Sequence, residues 1–411
     1  MPPSFTRRAA FAAGAALPLA ATRPSRAQAP AIKLGVLSDM SGPYSDNTGQ
    51  GSVVAARMAI EDFTRTRPGL RVDLISADNQ NRADVGMSIA RSWYDREGVD
   101  CILDVPLSAL ALAMGEVVRE KNKVALYTGP AASDLTGRAC GPNHIHWTYD
   151  TWALAHGTGT ALVAEGGDTW FFLTADYAFG HALERDTGGF VTAAGGRVLG
   201  QARYPFPGTT DFSSFLLQAQ ASRAKVLGLA NAGSDTINCI KQAAEFGLTR
   251  RGMRLAGLLL QIPDVHGVGL QAAQGLVMTD SFYWDLDDGT RAFTERFHPQ
   301  NRGIRPTQIH AGTYSAVLHY LKAVESMGVA AAKADGAAVV RRMKEMPTDD
   351  PLFGRGEVRA DGRKIHDMHL FQVKAPDESR GAWDYYRKLR SIPAAQAFRP
   401  MSEGGCAMVR T

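Results

Sequence analysis

Beyond residue 21 the chain has no apolar run long enough to cross a bilayer as a helix, so a soluble mature protein is expected. Cysteine is scarce: Cys101, Cys140, Cys239 and Cys406 are the full set, and no pair has the C-x-x-C spacing of a metal site. His144-x-His146 and His366-x-x-His369 have no third marked ligand and read as surface or core histidines, so neither a metal nor a cofactor is expected. The G-x-S-x-G, Walker and dinucleotide glycine fingerprints are all missing, which removes the enzyme chemistries most legible in a sequence. No dense Lys/Arg block carries interleaved aromatics, so a nucleic-acid partner has no footprint. The nearest approach, residues 383–390, reads better as a C-terminal element laying its aromatics on the body. Net charge is also small. The formal +4 includes Arg7, Arg8, Arg23 and Arg26, all ahead of the first strand, so the rest of the chain is close to neutral.

What is present begins with an export signal. Arg7 and Arg8 precede an apolar run over residues 9–21, interrupted by Gly14 and Pro18 and too short to span a membrane. Cleavage after Ala27, with Ser25 at the −3 position, avoids the leading Pro30 that cleavage after Ala29 would create; the signal peptide is therefore placed at 1–27. Thr6-Arg7-Arg8-Ala9-Ala10-Phe11 resembles a twin-arginine signal with its Phe one place late, so the Sec and twin-arginine routes both stay open. Either route leads to the periplasm, where disulfides are allowed. Cys101 and Cys239 sit in apolar or helical surroundings and read as small buried residues. Cys140 and Cys406 lie in Gly- and Pro-containing loops and are expected to pair, tying the tail to the body.

About 380 residues remain after the signal, enough for two α/β lobes. Hydrophobic content of 45% and charged content of 21% suit a globular protein. Apolar strands over 32–37, 70–76, 101–105 and 124–128 alternate with helices over 52–64, 82–97 and 109–121. A second series has strands over 169–174, 197–204, 224–230 and 255–260, with helices over 180–194, 212–222 and 235–246. Such βαβα order implies parallel sheets with helices on both faces. From residue 275 the pattern changes: an extended run over 275–279, helices over 291–298 and 309–327, then late strands over 356–359 and 369–373. A polar Gly/Ser/Asp loop over 38–51 follows the first strand, at the sheet edge where α/β proteins hold small ligands.

Four segments, in order, carry a resemblance. They are Lys33-Leu34-Gly35-Val36-Leu37-Ser38-Asp39-Met40-Ser41-Gly42-Pro43, residues 102–109 (Ile-Leu-Asp-Val-Pro-Leu-Ser-Ala), residues 127–136 (Tyr-Thr-Gly-Pro-Ala-Ala-Ser-Asp-Leu-Thr) and Asp176-Tyr177-Ala178-Phe179-Gly180. Together they resemble the leucine/isoleucine/valine-binding family of type I periplasmic solute-binding proteins of ABC transporters, over residues 31–375. The resemblance implies an α/β fold of two lobes, each a mainly parallel sheet flanked by helices, joined by three hinge crossings near Tyr149, Thr279 and Asp361. Lobe 1 would hold residues 31–149 and 280–360, and lobe 2 residues 150–279 and 361–411 with the C-terminal tail. It also implies a non-enzymatic monomer that delivers a small molecule to ABC permease subunits at the membrane.

Within the implied cleft, Ser108 stands where a strand meets a helix, so its hydroxyl and the free N–H groups there, Ala109 included, suit a carboxylate. A plain helix-capping serine is the alternative. Ala131, Ala132 and Ser133 would hold the other carboxylate oxygen. An ammonium would need an acid after a second-lobe strand, but that stretch reads Leu258-Leu259-Leu260-Gln261. The family's aromatic contact falls near Asn231 and Ala232, and Asp235 is the nearby acid, equally readable as a first-turn helix acid. Tyr44, Tyr177, Phe179, Phe282, Tyr283 and Trp284 are candidate aromatic walls, about half of them expected to serve the core or hinge instead. The expected ligand is a small aromatic or hydrophobic carboxylate, in line with a similarity to family members that bind lignin-derived aromatic acids. A branched-chain or other amino acid, or a sensory role for the same fold in a signalling receptor, are the alternatives.

Overall fold

The computed structural model describes Met1 and residues 31–409; apart from Met1, the expected signal peptide over 1–27 lies outside the described residues. Strands β1 (Ile32–Ser38), β2 (Val72–Asp78), β3 (Cys101–Asp104), β4 (Val124–Tyr127) and β5 (His144–His146) form a five-stranded parallel sheet in the order β2-β1-β3-β4-β5. The unbroken apolar runs of β3 and β4 follow from burial on both faces. Helices Gly49–Thr64 and Ser108–Glu120 are crossovers of this sheet.

The second lobe starts with helix Thr151–Ala164, then β6 (Thr169–Ala175), β7 (Arg197–Tyr204), β8 (Val226–Ala230), β9 (Arg254–Gly257) and β10 (Val277–Asp280), all parallel. The chain then returns to the first lobe. Helices Asp288–Phe297, Gln308–Met327 and Gly336–Glu345 bury Phe293, Tyr314, Val317 and Val339 in the same core as Val36 and Leu126. A small antiparallel sheet follows, made of β11 (Thr348–Asp350), β12 (Gly354–Val358) and β13 (Lys364–Ile365). Finally β14 (Met368–Val373) and β15 (Tyr386–Ile392) add antiparallel to the second sheet, giving seven strands in the order β15-β14-β10-β9-β8-β6-β7.

The chain thus passes between lobes after β5, after β10 and after β13. The last passage comes beyond Ile365 rather than near Asp361, because β13 still pairs with β12 and Arg363 bridges to His146. Arg363 is wholly buried at the crossing, donates through Nη1 to the Tyr149 carbonyl at 3.0 Å and lies 3.6 Å from Asp150. Burial lowers its guanidinium to about 10 despite that carboxylate.

The tail adds a further link between the lobes. Past β15 it runs back to the first lobe, where Cys406 is disulfide-bonded to Cys140 with the Cα atoms 5.6 Å apart. Arg399 donates to the Ser133 carbonyl at 2.9 Å, and the Phe398 ring lies under Arg363. Cys101 and Cys239 are buried free thiols. Among the described residues no helix is long and apolar enough to cross a membrane.

Candidate functional site

Between the lobes lies a narrow cavity of about 20 Å³, room for little more than a water, so an organic solute enters only where the walls or the lobes part. Nearly all its lining follows the C-terminal ends of parallel strands. From the first lobe come Tyr44, Asn47 and Thr48 after β1, Pro106 after β3, Gly129 and Ala131 after β4, and Ile309 from the return helix. The second lobe gives Tyr177 and Phe179 after β6, Ala232 after β8, and Leu259 and Gln261 after β9; Tyr149 comes from the first crossing. No lining side chain carries a charge.

The first-lobe wall rests on strained backbone. Asp104 and Val105 end β3 at φ 75° and 57°, a left-handed conformation that a β-branched residue adopts rarely and that marks functional turns. The turn is held by Asp104, whose carboxylate accepts from Ser38 Oγ at 2.7 Å; burial pushes it up to about 6. It delivers Ser108 to the first turn of its helix, where Ser108 Oγ accepts the N–H groups of Ala131 and Ala132, both at 3.2 Å. Both amides are thereby spent on the hydroxyl, which keeps its own proton at the helix N-terminus; Ala131 lines the cavity, whereas Ser108 and Ala132 lie buried behind its wall. Ala109, next in the helix, is half-buried and does not line the cavity.

The aromatic wall is partly where it was expected. Tyr44 and Tyr177 line the cavity from opposite lobes and join hydroxyl to hydroxyl at 2.7 Å, with Phe206 stacked on both rings. Burial raises both phenols well beyond their ordinary range, so they stay neutral donors. Phe179 completes this side.

Other expected contacts lie elsewhere. Phe282 packs in the first-lobe core against Phe293. Tyr283 stacks on Tyr386, and both Tyr283 and Trp284 donate to the Trp383 carbonyl. These three aromatics fix the second crossing and the tail, and none lines the cavity. Ser133 turns away too, donating to Asp186 Oδ2 at 2.8 Å. Asn231 is spent on Cys239 and Thr236, and Asp235 accepts from Tyr204 at 2.8 Å; burial pushes that carboxyl up to about 6.

An acid bonded directly to two lining residues is Asp264. It accepts from Asn47 Nδ2 at 2.9 Å and from the Gln261 N–H at 2.8 Å, and burial pushes it up to about 7. Sequence reasoning passed over Asn47, Thr48, Tyr149 and Ile309. The one available signal was the position of Asn47 and Thr48 in the loop after the first strand.

These features match known proteins. The periplasmic binding protein family profile matches residues 31–381, and the chain belongs to that family. It is similar to a periplasmic binding protein from Burkholderia mallei, with 47% identity and a TM-score of 0.88 over 92% of this chain and 99% of the other. It is also similar to a branched chain amino acid ABC transporter periplasmic ligand-binding protein from Burkholderia xenovorans LB400, with 41% identity and a TM-score of 0.79 over 92% and 99%. A Rhodopseudomonas palustris ABC transporter solute-binding protein in complex with benzoate shares the fold at 19% identity and a TM-score of 0.79, over 92% of this chain and 100% of that one. A comparison with the curated proteins gives no match. The chain is thus a solute-binding protein of an ABC transporter rather than an enzyme, with the α/β architecture of two mainly parallel sheets expected from its sequence.

Proposed function

We propose that this protein captures a small aromatic or hydrophobic carboxylate between its lobes outside the cytoplasm and presents it, as a monomer, to the permease subunits of an importer. The observation that supports this most is an uncharged, tyrosine-rich cavity beside the cluster of Ser108 Oγ with the Ala131 and Ala132 amides. With both amides donating to Ser108 Oγ, the Ser108 hydroxyl proton is what the cluster offers an anion, while the cavity wall offers no carboxylate to an ammonium. Lobe 1 (31–149 with 280–365) and lobe 2 (150–279 with the remainder) would close on the solute, which touches both. Burying about 150 Å² of ring contributes roughly 4 kcal/mol. Charge-assisted hydrogen bonds add about 1.5–3 kcal/mol each. After association costs, micromolar affinity is within reach.

A second reading, an α-amino acid ligand, is supported by the name of the Burkholderia xenovorans relative and by Asp264 behind Asn47. Isothermal titration calorimetry with benzoate- and cinnamate-type acids against leucine separates the two. Tight leucine binding with no heat from the acids would overturn the carboxylate reading.

A further inference from the structure

Most polar side chains lining the cavity are already engaged. Tyr44 and Tyr177 bond each other, Tyr149 donates to the Gly129 carbonyl at 2.7 Å, and Thr48 Oγ1 lies 3.0 Å from the Ser38 hydroxyl and 3.2 Å from the Tyr44 carbonyl. Gln261 is different. It is 1% exposed and lines the cavity; its amide oxygen faces the Asp264 N–H in a capping box at the start of helix Ile262–Val268 without a well-formed bond, and its amide nitrogen has no partner. Asn47, which also lines the cavity, spends its Nδ2 on Asp264, and that bond leaves its Oδ1 buried and unpartnered. Buried polar atoms without partners are costly; others are scattered through the described residues, and those of Asn47 and Gln261 are the ones that face this cavity. The unmet demand is two carbonyl oxygens and one amide NH₂ group, all neutral.

We propose that Gln261 is the specificity-determining contact for a second, neutral polar group on the solute, a hydroxyl or carboxamide at the end away from its carboxylate. This deepens the carboxylate reading and rests on it. A carboxamide can donate to both carbonyl oxygens and accept from Gln261 Nε2, while a hydroxyl donates to one of them, Gln261 or Asn47, and accepts from Gln261 Nε2. A bare ring edge would leave the Gln261 amide unpaired. An ammonium would meet carbonyl oxygens and nothing negative on the wall, since both Asp264 oxygens are engaged. Ala131 and Gln261 come from opposite lobes, so a solute with a polar group at each end ties the lobes together through both ends.

The test is a calorimetric series on the wild-type protein and on Gln261→Leu: benzoate, its meta- and para-hydroxy derivatives, its para-carbamoyl derivative, and phenylalanine. In the wild type at least one hydroxy or carbamoyl acid is expected to bind about tenfold or more tighter than benzoate, because a site built to bond a hydroxyl rejects the analogue lacking it. In Gln261→Leu, checked for folding by circular dichroism, that preference should collapse while benzoate is held at least as well. Equal wild-type binding of benzoate and its derivatives would sink the proposal and leave the carboxylate reading standing. A variant that weakens all acids by one common factor would assign Gln261 a structural role and also sink it. Binding of phenylalanine alone would instead overturn the carboxylate reading beneath it. Should the variant misfold, the wild-type series decides by itself.

Discussion

Replacing Cys140 and Cys406 together by serine removes the bond that fastens the tail across the lobes. The two residues are separated by 266 positions, so the bridge closes a very long loop in the unfolded chain. The chain-entropy relation gives a stabilisation of about 5.5 kcal/mol for such a loop at room temperature, and native bridges commonly deliver about 2–4 kcal/mol. The lower figure fits this site better. Arg399 to the Ser133 carbonyl, Arg359 to the Arg399 carbonyl and the Phe398 ring under Arg363 keep holding the tail after the bond is gone. The expected loss is therefore about 2–4 kcal/mol, seen as a lower urea midpoint at unchanged slope. A thiol assay on the unfolded, unreduced wild type should find two free cysteines, Cys101 and Cys239. Limited proteolysis should cut the double variant first within residues 393–409. Four free thiols in the wild type, or a midpoint that does not move, would refute the reasoning.

Three further outcomes follow from the site. Ser108→Ala removes the hydroxyl proton that would reach the carboxylate and should weaken solute binding by about 1–3 kcal/mol in calorimetry; unchanged affinity would put the carboxylate elsewhere. Gly233 has φ 59°, and a Cβ there would run into the Pro43 carbonyl of the other lobe, so Gly233→Ala should lower affinity by about tenfold or more and show a more open envelope in small-angle scattering. Asp264 sits near 7 in the folded protein against 3.8 unexposed to the fold, so the folded state keeps its proton longer. Its contribution is fully present below pH ~4 and is lost as pH rises to ~7, by at most about 4 kcal/mol. Asp264→Asn should make urea stability fall less steeply over that range, by about one proton's worth of slope; an unaltered slope would show that the carboxyl ionises freely.

The parallel strands were legible because strands buried on both faces read as apolar runs closed by turn residues, as in residues 101–104 and 226–230. Helix Thr151–Ala164 was harder to see, since it is buried on most sides and Gly157 and Gly159 break its periodicity. Strand β15 hid behind its exposed Arg387, Lys388 and Arg390, the marks of a sheet edge. Within the site, Tyr44, Ala131, Tyr177 and Phe179 follow motifs at strand ends and were readable locally. Asn47, Ile309 and Tyr149 were not, because only the meeting of distant segments turns ordinary loop and helix residues into a wall. The aromatic run Phe282-Tyr283-Trp284 misled for the opposite reason: rings cluster in ligand sites and in cores alike, and here the first-lobe core claims Phe282 while the tail beside the second crossing claims Tyr283 and Trp284.

Several bonds join the two lobes without any solute atom: Tyr44 to Tyr177, Asn47 to Asp264, Ser133 to Asp186, and the Ser234 N–H to the Pro43 carbonyl. Each shifts the balance between shut and gaping forms by the same amount whatever the cargo. Apparent affinity is the intrinsic affinity scaled by the fraction of molecules able to shut. Substitutions at joints away from the cavity wall, such as Ser133 with Asp186, therefore rescale binding of every cargo together and leave their ranking alone. Scavenging strength and selectivity can drift independently in such a molecule, one tuned at the seam and the other at the wall.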